Sequence, residues 1–214
     1  MLKNCLYYCN DDAVFVERWQ MYIKLKEIAD IQMGYSFRSR LEPVLTGPVA
    51  VIQMKDLLVN NTVDTKKASR IEMPTLNKSH LVQAGDLVFK SRGNNTESSI
   101  IESDPGEAIV ASPLIRIRIT DTNIVLPAYL NWFIGQPPAQ SYFASRAKGS
   151  AQRMISKKGL QELEVVVPAI QKQKQICELA RLSAIEAILT KKISKRNTKV
   201  ISTILMRYAK GDAV

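Results

Sequence analysis

The chain has 214 residues, of which 46% are hydrophobic and 23% are charged, and its formal net charge at pH 7 is +10. This length and apolar content suffice for one sizeable hydrophobic core, either alone or with an appendage. No stretch of the sequence approaches the ~18 consecutive apolar residues of a membrane span, which excludes a membrane-embedded helix. The excess of positive charge favours a polyanionic partner, and nucleic acid is the commonest of these.

The beginning of the sequence and its cysteines both favour a cytoplasmic protein. The opening residues, MLKNCLYYCNDD, lack the apolar core of a signal peptide. The three cysteines, Cys5, Cys9 and Cys177, have no disulfide-like spacing, which fits a reducing compartment. Cys5 and Cys9 would need two further ligands to hold a metal, and the only histidine, His80, has no cysteine near it in sequence. We therefore expect no metal site.

The sequence before the long C-terminal segment predicts a mixture of strands and short helices. Residues 1–18 show no clear periodicity, and we assign them no role. After Trp19, apolar residues lead up to Gly34, which predicts an extended segment and then a short helix that ends in a glycine turn. Residues 59–79 are predicted to be irregular, and residues 100–101 are expected to pair with the strand that follows them. Runs of β-branched and apolar residues predict strands over residues 48–54, 87–89, 100–101, 108–119 and 163–167.

One predicted strand, residues 114–119, has a strictly alternating sequence, LIRIRI. In a strand, Ile115 and Ile117 share one face with Ile119, whereas Arg116 and Arg118 share the other. The pattern predicts a strand with one buried face and one cationic face.

Two segments in the second half of the chain are predicted to be helical. Residues 126–143 form a helix interrupted at residues 136–138, and Pro127 suits its first turn. From residue 171 to about residue 209 there is neither proline nor glycine. The apolar residues of this segment recur at helical spacing: Leu179, Leu182, Ile185, Leu189, Ile193, Val200 and Ile204. Such a helix would be about 58 Å long, so we expect part of its stripe to pair with a partner helix. The alternative is a helix folded back on its own globular domain.

The sequence contains no recognisable catalytic motif. There is no G-x-x-x-x-G-K-[ST] phosphate loop, no G-x-G-x-x-G dinucleotide loop and no G-x-S-x-G nucleophile elbow. His80 has no evident nucleophile beside it and is expected at the surface or at a sheet edge. Glu162 and Glu164 alternate on a predicted strand, which is typical of a solvated face rather than of acid–base catalysis. We therefore expect a protein that binds rather than catalyses.

Three basic segments, each in a predicted loop, are the candidate binding residues. They comprise residues 35–40, residues 90–95 and residues 146–153, the last extended by two lysines. Arginine can span the O6 and N7 atoms of guanine, and amide side chains can span N6 and N7 of adenine. We therefore predict base-edge contacts from Arg92, Asn94, Asn95, Gln152 and Arg153. Phosphate contacts are predicted from Arg38, Arg40, Lys90, Arg146, Lys148, Lys157 and Lys158.

The order of these features resembles one half of the specificity subunit of type I restriction–modification enzymes, over about residues 19–209. More narrowly, it resembles one target-recognition domain and the spacer helix that follows it. The most specific likeness runs from Gly149 to Ile176 and includes G-S-x-Q-x-x-I-S, L-x-V-x-V-P and Q-x-Q-I. The remaining matching residues are Leu25, Ile28, Ala29 and Gly34, then residues 85–89, Arg92 with Gly93, and residues 108–118.

The resemblance implies both a fold and a function. The fold is an α/β (α+β) recognition domain of irregular β-sheet and short helices at residues 19–168, followed by a long helix of the coiled-coil type and a tail at residues 169–214. The recognition domain would read a short half-site of double-stranded DNA in the major groove. The helix would pair antiparallel with another such helix and dock DNA methyltransferase subunits, with which a restriction or translocase subunit can also assemble. S-adenosylmethionine would be bound by those methyltransferase subunits and not by this chain.

A full specificity subunit has two recognition domains and two helices, whereas this chain has one of each. Two copies could therefore pair through residues 171–209 and read a bipartite site, and pairing with another half-subunit fits the pattern equally. Two other classes of function stay open from the sequence. One is a coiled-coil adaptor whose charge meets acidic partners. The other is an RNA-binding module, which the low aromatic content of 7% disfavours.

Overall fold

The computed structural model describes residues 21–38, 42–44, 46–73, 76–93, 96–147 and 154–211. The fold is mixed α/β with irregular sheets and a long C-terminal helix, which confirms the predicted fold class. The chain divides into two compact units, and the division falls after Lys174. No helix in the described ranges combines the length and apolarity that a membrane crossing needs.

The first unit contains nine short strands and four short helices among the described residues, and it also contains the start of the long helix. The strands are β1 (Met21–Lys24), β2 (Ala29–Met33), β3 (Val49–Ile52), β4 (Ser69–Ile71), β5 (Leu87–Lys90), β6 (Ser98–Ile100), β7 (Ala108–Val110), β8 (Leu114–Ile119) and β9 (Glu164–Val167). The helices are α1 (Leu25–Ile28), α2 (Pro127–Ile134), α3 (Pro137–Arg146), α4 (Lys157–Gln161) and the long α5 (Ile170–Ala209), with 3₁₀ turns at Met54–Asp56 and Lys78–His80.

The described strands form three sheets. The largest is antiparallel with the order β2-β8-β5-β6, and a second has the order β4-β3-β7, in which β3 and β7 run parallel. The third is the antiparallel pair of β1 with β9. Val88 and Leu114 of the first sheet share a hydrophobic cluster with Ile52 and Val110 of the second, so these two sheets pack together. Phe89 points to the opposite face, where its ring lies 5.2 Å from that of Phe143 on α3.

Three sequence expectations are wrong, because the strands pair with partners that the local sequence pattern does not specify. The short helix α1 ends at Ile28, and residues up to Met33 form β2, which pairs with β8. Strand β6 pairs with β5 rather than with the strand after it, and β7 pairs with β3. Strand β4 lies within residues 59–79, which were predicted to be irregular.

The prediction that β8 has a free cationic face is also wrong, because both of its arginines are paired with carboxylates. Arg116 is only 4% exposed and donates to the carboxylate of Asp30 and, at 2.9 Å, to the amide oxygen of Gln32. Arg118 donates to both carboxylate oxygens of the buried Asp86, each at 2.7 Å. This pairing raises the pKa of Arg118. These two arginines stabilise the fold and are not available to a ligand.

The long helix α5 starts on the first unit through one buried amide. Gln173 is fully buried, and its Oε1 accepts a hydrogen bond from Leu126 N at 2.9 Å. Its Nε2 donates to Ile124 O and Pro168 O, both at 2.8 Å. All hydrogen-bonding groups of this side chain except one lone pair are therefore used, which holds the first turns of α5 against the segment before α2.

Beyond Lys174, α5 belongs to the second unit and is exposed except at Ile176, Cys177 and Ala180, which are partly buried. The whole of α5 has 40 residues and a length of about 60 Å. The long helix predicted from the sequence is thus confirmed. The predicted apolar stripe is between 40% and 68% exposed at each of its positions. These positions are Leu179, Leu182, Ile185, Leu189, Ile193, Val200 and Ile204.

Candidate nucleic-acid interface

The candidate site is at one end of the four-stranded sheet. Because the neighbouring strands run antiparallel, β2 and β5 end where β8 and β6 begin. The segment that carries Arg38 leaves from the end of β2, and the segment that carries Arg92 leaves from the end of β5. Two of the three predicted basic segments therefore start from the same sheet end.

Backbone hydrogen bonds bring the third basic segment beside the other two. Ser112, in the turn before β8, donates from its backbone N to Tyr35 O at 2.9 Å. The hydroxyl of Ser91 donates to the carbonyl oxygen of Pro113 in the same turn. Ile155 N donates to Ser91 O at 2.8 Å, and Arg92 forms an isolated antiparallel bridge with Met154. The start of the α4 segment is thus connected through Ser91 and the turn to the Tyr35 segment.

Local contacts hold the cations of the third segment on α3 and α4. Ser156 caps α4 by accepting a hydrogen bond from Gly159 N at 3.0 Å. The Tyr142 hydroxyl donates to Gly159 O at 2.8 Å, which ties α3 to α4. The guanidinium carbon of Arg146 lies 5.3 Å from the centroid of the Tyr142 ring, a distance at which the cation and the ring attract each other.

The glycine in the second segment gives Lys90 its space. Gly93 has φ of +126°, a backbone conformation that other residues rarely adopt. A Cβ at Gly93 would lie 3.2 Å from Lys90 Cε. The glycine therefore permits both the sharp turn after β5 and the close approach of the lysine chain to it.

Six of the predicted phosphate-binding and base-binding cations lie in the described part of the chain: Arg38, Lys90, Arg92, Arg146, Lys157 and Lys158. Two of them, Lys90 and Lys157, are half-buried, and the others are exposed. Considering described residues only, none of the six lies within ion-pair distance of a carboxylate. Their charges are therefore free to attract an anionic ligand, in contrast to those of Arg116 and Arg118.

The other six predicted contact residues lie outside the described residues: Arg40, Asn94, Asn95, Lys148, Gln152 and Arg153. Of the five predicted base-edge residues, the structure thus describes only Arg92. One of its guanidinium nitrogens, Nη2, lies 3.7 Å from Met154 Sδ, and the side chain is otherwise exposed. The roles of all twelve residues stay predictions.

Sequence reasoning missed the residues that hold these loops in place. Gln140 of α3 donates from Nε2 to Thr96 O at 2.8 Å, and the Thr96 hydroxyl donates to Gln140 Oε1 at 3.0 Å. This reciprocal pair fastens the loop before β6 to α3. Sequence reasoning also missed Ser112, whose backbone N bonds to Tyr35 O. Neither residue has a local sequence signal, because each acts on a partner more than 40 residues away.

An open depression adjoins the Arg38 segment. Ser36 and Phe37 line it together with Met54, Ser112 and Pro113. The Phe37 ring packs edge-on against Tyr35, with 4.8 Å between ring centroids. An aromatic ring, apolar groups and hydroxyls thus line a depression beside the segment that carries Arg38, which is a composition suited to the edge of a base.

His80 and Glu162 have hydrogen-bonding or ion-pair partners within the fold. His80 Nδ1 lies 3.2 Å from Gln32 Nε2, and its ring packs edge-on against Tyr35. Glu162, expected on a solvated face, instead accepts from Lys24 Nζ at 2.7 Å and from Lys26 Nζ at 2.6 Å. These two ammonium groups lower the pKa of Glu162 to about 2. Among the described residues no group of three or more His, Cys, Asp or Glu could hold a metal ion.

The sequence and the fold are similar to those of one protein family. A family model described as "Type I restriction modification DNA specificity domain" matches residues 17–199. No protein of curated function matches the chain. The fold is similar to that of the HsdS subunit from Thermoanaerobacter tengcongensis, with a TM-score of 0.62 and 16% identity over 94% of this chain and 47% of that one.

Two further solved structures have the same fold. One, from work on complex assembly and conformational transition of the type I R-M system, has a TM-score of 0.64 and 17% identity over 89% of this chain and 45% of that one. The other, the type I restriction-modification S subunit from M. genitalium, has a TM-score of 0.52 and 12% identity over 91% of this chain and 47% of that one. The chain spans about half the length of each. Because the family model covers most of the sequence, the chain belongs to the family of type I restriction–modification DNA specificity domains.

Proposed function

We propose that this chain recognises a short sequence of double-stranded DNA as the specificity component of a type I restriction–modification complex. One observation carries the proposal. Three sequence segments that are far apart in the chain are connected by hydrogen bonds at one end of a sheet. Among the described residues, no carboxylate lies within ion-pair distance of the six cations that these segments carry. Free cations of this kind neutralise phosphates and release counterions, whereas an arginine among them can read a guanine edge. Family membership supports the same function.

The residues of the three basic segments have individual proposed roles. Arg92 lies next to the anchored Ser91, and that support favours the fixed orientation that a bidentate base contact needs. Lys158 is exposed on a short helix and acts as a point charge toward phosphate. The roles of Asn94, Asn95, Gln152 and Arg153 at base edges, and those of Arg40 and Lys148 at phosphates, extend this proposal to the loops between the described segments.

The exposed stripe of α5 supports a proposal about partners. Seven large apolar residues along one helix face would leave water if a second helix packed against them, and each is now at least 40% exposed. We assign this face to an antiparallel pairing with a second copy or with another half-subunit. Such a pair would carry two recognition domains and would read a bipartite site.

The proposed complex places the chemistry on other subunits. This chain acts without catalysis and binds no cofactor, and DNA methyltransferase subunits that dock on it bring S-adenosylmethionine. A restriction or translocase subunit joins the same complex where the system also cleaves DNA. The assembly works in the cytoplasm, where its DNA substrate is.

A comparison of Arg92→Ala with Arg92→Lys tests the base contact. The target is first selected from random duplexes, and binding to target and to random duplex is then measured. Both variants should lose about 1–3 kcal/mol of preference for the target, because lysine keeps the charge but not the planar fork. Lys158→Ala should weaken binding to both duplexes equally and reduce the salt slope by about one.

Three outcomes would contradict the proposal. Full preference in Arg92→Lys would assign Arg92 to phosphate. Binding that is equally strong on every duplex, including the selected one, would remove the sequence-specific function and favour an adaptor that carries basic charge. Displacement of the duplex by equimolar single-stranded RNA would favour an RNA-binding module instead. The purified chain is to be tested with and without its methyltransferase partner.

A further inference from the structure

The middle of α5 carries five cations on one face, and we propose that this basic stripe binds the phosphate backbone of duplex DNA without regard to sequence. The stripe comprises Lys191, Lys192, Lys195, Arg196 and Lys199, and all five are exposed. At 100° per residue they fall within about 140° of the helix circumference. The inference goes beyond the loop cluster of the first unit, and it rests on the proposed function only in taking duplex DNA as the ligand.

Within α5 itself, no acidic residue lies beside the stripe. After Glu186, α5 contains no acidic residue. Lys191, Lys195 and Lys199 follow one another at intervals of four residues, which places like charges side by side and destabilises an isolated helix. Farther toward the N-terminus the same helix has a paired arginine, since Arg181 donates to both carboxylate oxygens of Glu178 at 2.7 and 2.9 Å. A bound polyanion would remove the repulsion in the stripe.

The four lysines of the basic stripe stay free when the apolar stripe is covered, whereas Arg196 falls between Ile185 and Leu189 on the helical wheel. On the helical wheel the two are centred about 120° apart, so a helix that packs on Leu189 and Ile193 leaves Lys195 and Lys199 in solvent. Two helices related by a twofold axis and running antiparallel present the same flank on the same side of the pair. If two copies of α5 pair as proposed above, the eight lysines of the two stripes would therefore lie on one side of the pair.

The composition of the stripe favours nucleic acid over an acidic protein. Four of its five residues are lysines, and lysine is depleted in protein–protein interfaces because its flexible, strongly hydrated chain is costly to desolvate. Phosphates on a duplex, in contrast, are contacted by solvated lysines that displace counterions. The lysines at positions 191, 195 and 199 are spaced about 6 Å apart along the helix axis, which lets successive side chains contact separate phosphates.

The test replaces three stripe lysines in the full chain by glutamine, as K191Q/K195Q/K199Q. Glutamine has nearly the helix propensity of lysine, so circular dichroism should be unchanged. The matched control, K66Q/K67Q/K78Q, removes the same charge from exposed lysines of the first unit. A second variant, K191R/K195R/K199R, keeps the charge. Binding to a random duplex is measured from 50 to 200 mM salt, at a concentration where sedimentation shows the same oligomeric state for all four proteins.

The stripe variant should have a salt slope smaller than that of the wild type by about 2.7 for each bound copy. The wild type would then lose about 40-fold more affinity than this variant over the salt range. The control and the arginine variant should keep the wild-type slope, and the ratio of target to random affinity should not change. An unchanged slope in the stripe variant would overturn the inference and favour an acidic protein as the ligand. An equal decrease in the control would also overturn it, because the loss of charge anywhere on the chain would then have the same effect. The Arg92 variants measure target preference in a separate experiment. Failure of the proposed function would therefore appear in that experiment and not in the salt slope of the stripe variant.

Discussion

The buried amide of Gln173 gives a sharp test of how the long helix is attached to the first unit. Replacing Gln173 by leucine keeps a side chain of similar size but removes the acceptor for Leu126 N and the donors to Ile124 O and Pro168 O. The wild-type bonds are 2.8–2.9 Å long, and the amide is fully buried. Burial prevents water from replacing them at the side chain.

The expected cost follows from the number of bonds. A hydrogen bond in a protein contributes about 1 kcal/mol net, and a buried partner that is left unsatisfied costs about 1–3 kcal/mol. Ile124 is partly exposed, so water can reach its carbonyl group more easily than it can reach Leu126 N. We therefore expect Gln173→Leu to lower the free energy of unfolding of the first unit by about 3 kcal/mol.

Urea denaturation followed by tryptophan fluorescence measures this change, because Trp132 is on α2, directly after the segment that Gln173 holds. Gln171→Leu is the control, since it makes the same chemical change two residues earlier at an exposed position. The control should change stability by less than about 0.5 kcal/mol. If the two variants are equally stable, the amide does not anchor α5 and the reasoning is refuted.

Two further predictions concern an ion pair and the helix face. Lys24 and Lys26 lower the pKa of Glu162 from 4.5 to about 2, so the contribution of this ion pair to stability is complete above pH 4.5 and is lost as pH falls toward 2. The melting temperature of Glu162→Gln should therefore equal that of the wild type at the acid end and be lower near neutrality. Parallel plots of melting temperature against pH would contradict this. Leu189→Asp should abolish self-association measured by sedimentation. Ile188→Asp should not, because Ile188 is similarly exposed but lies on a different face of α5. Equal effects of the two substitutions would show that the apolar stripe is not the contact surface.

Local patterns in the sequence were enough to predict most of the helices and several strands. The long helix follows from a segment of about 40 residues without proline or glycine and with apolar residues at helical spacing, both of which are properties of the segment alone. The strands β3, β5 and β9 follow from short β-branched and apolar runs, and Pro127 correctly predicted the start of α2. These elements are specified by residues that are neighbours in the chain.

The candidate site was predictable in composition but not in arrangement. The charged residue types and their loops can be read from the sequence, and they predicted Arg38, Arg92 and Lys158 as ligand contacts. That the three loops are joined at one sheet end depends on hydrogen bonds from Ser91 and Ser112 to residues 20 to 80 positions away. No local periodicity encodes such contacts, since they exist only after the strands have paired.

The strand LIRIRI shows most clearly which properties the sequence determines and which the tertiary structure decides. Alternation alone determined that its arginines share one face, because side chains in a strand point to opposite sides in turn. Whether that face meets solvent or protein was decided by the tertiary structure, which places Asp30 beside Arg116 and the buried Asp86 beside Arg118. Those carboxylates are more than 30 residues away in the chain, so no local pattern places them beside the arginines. Whether an arginine forms an ion pair within the fold or is free for a ligand depends on which residues the tertiary structure places next to it.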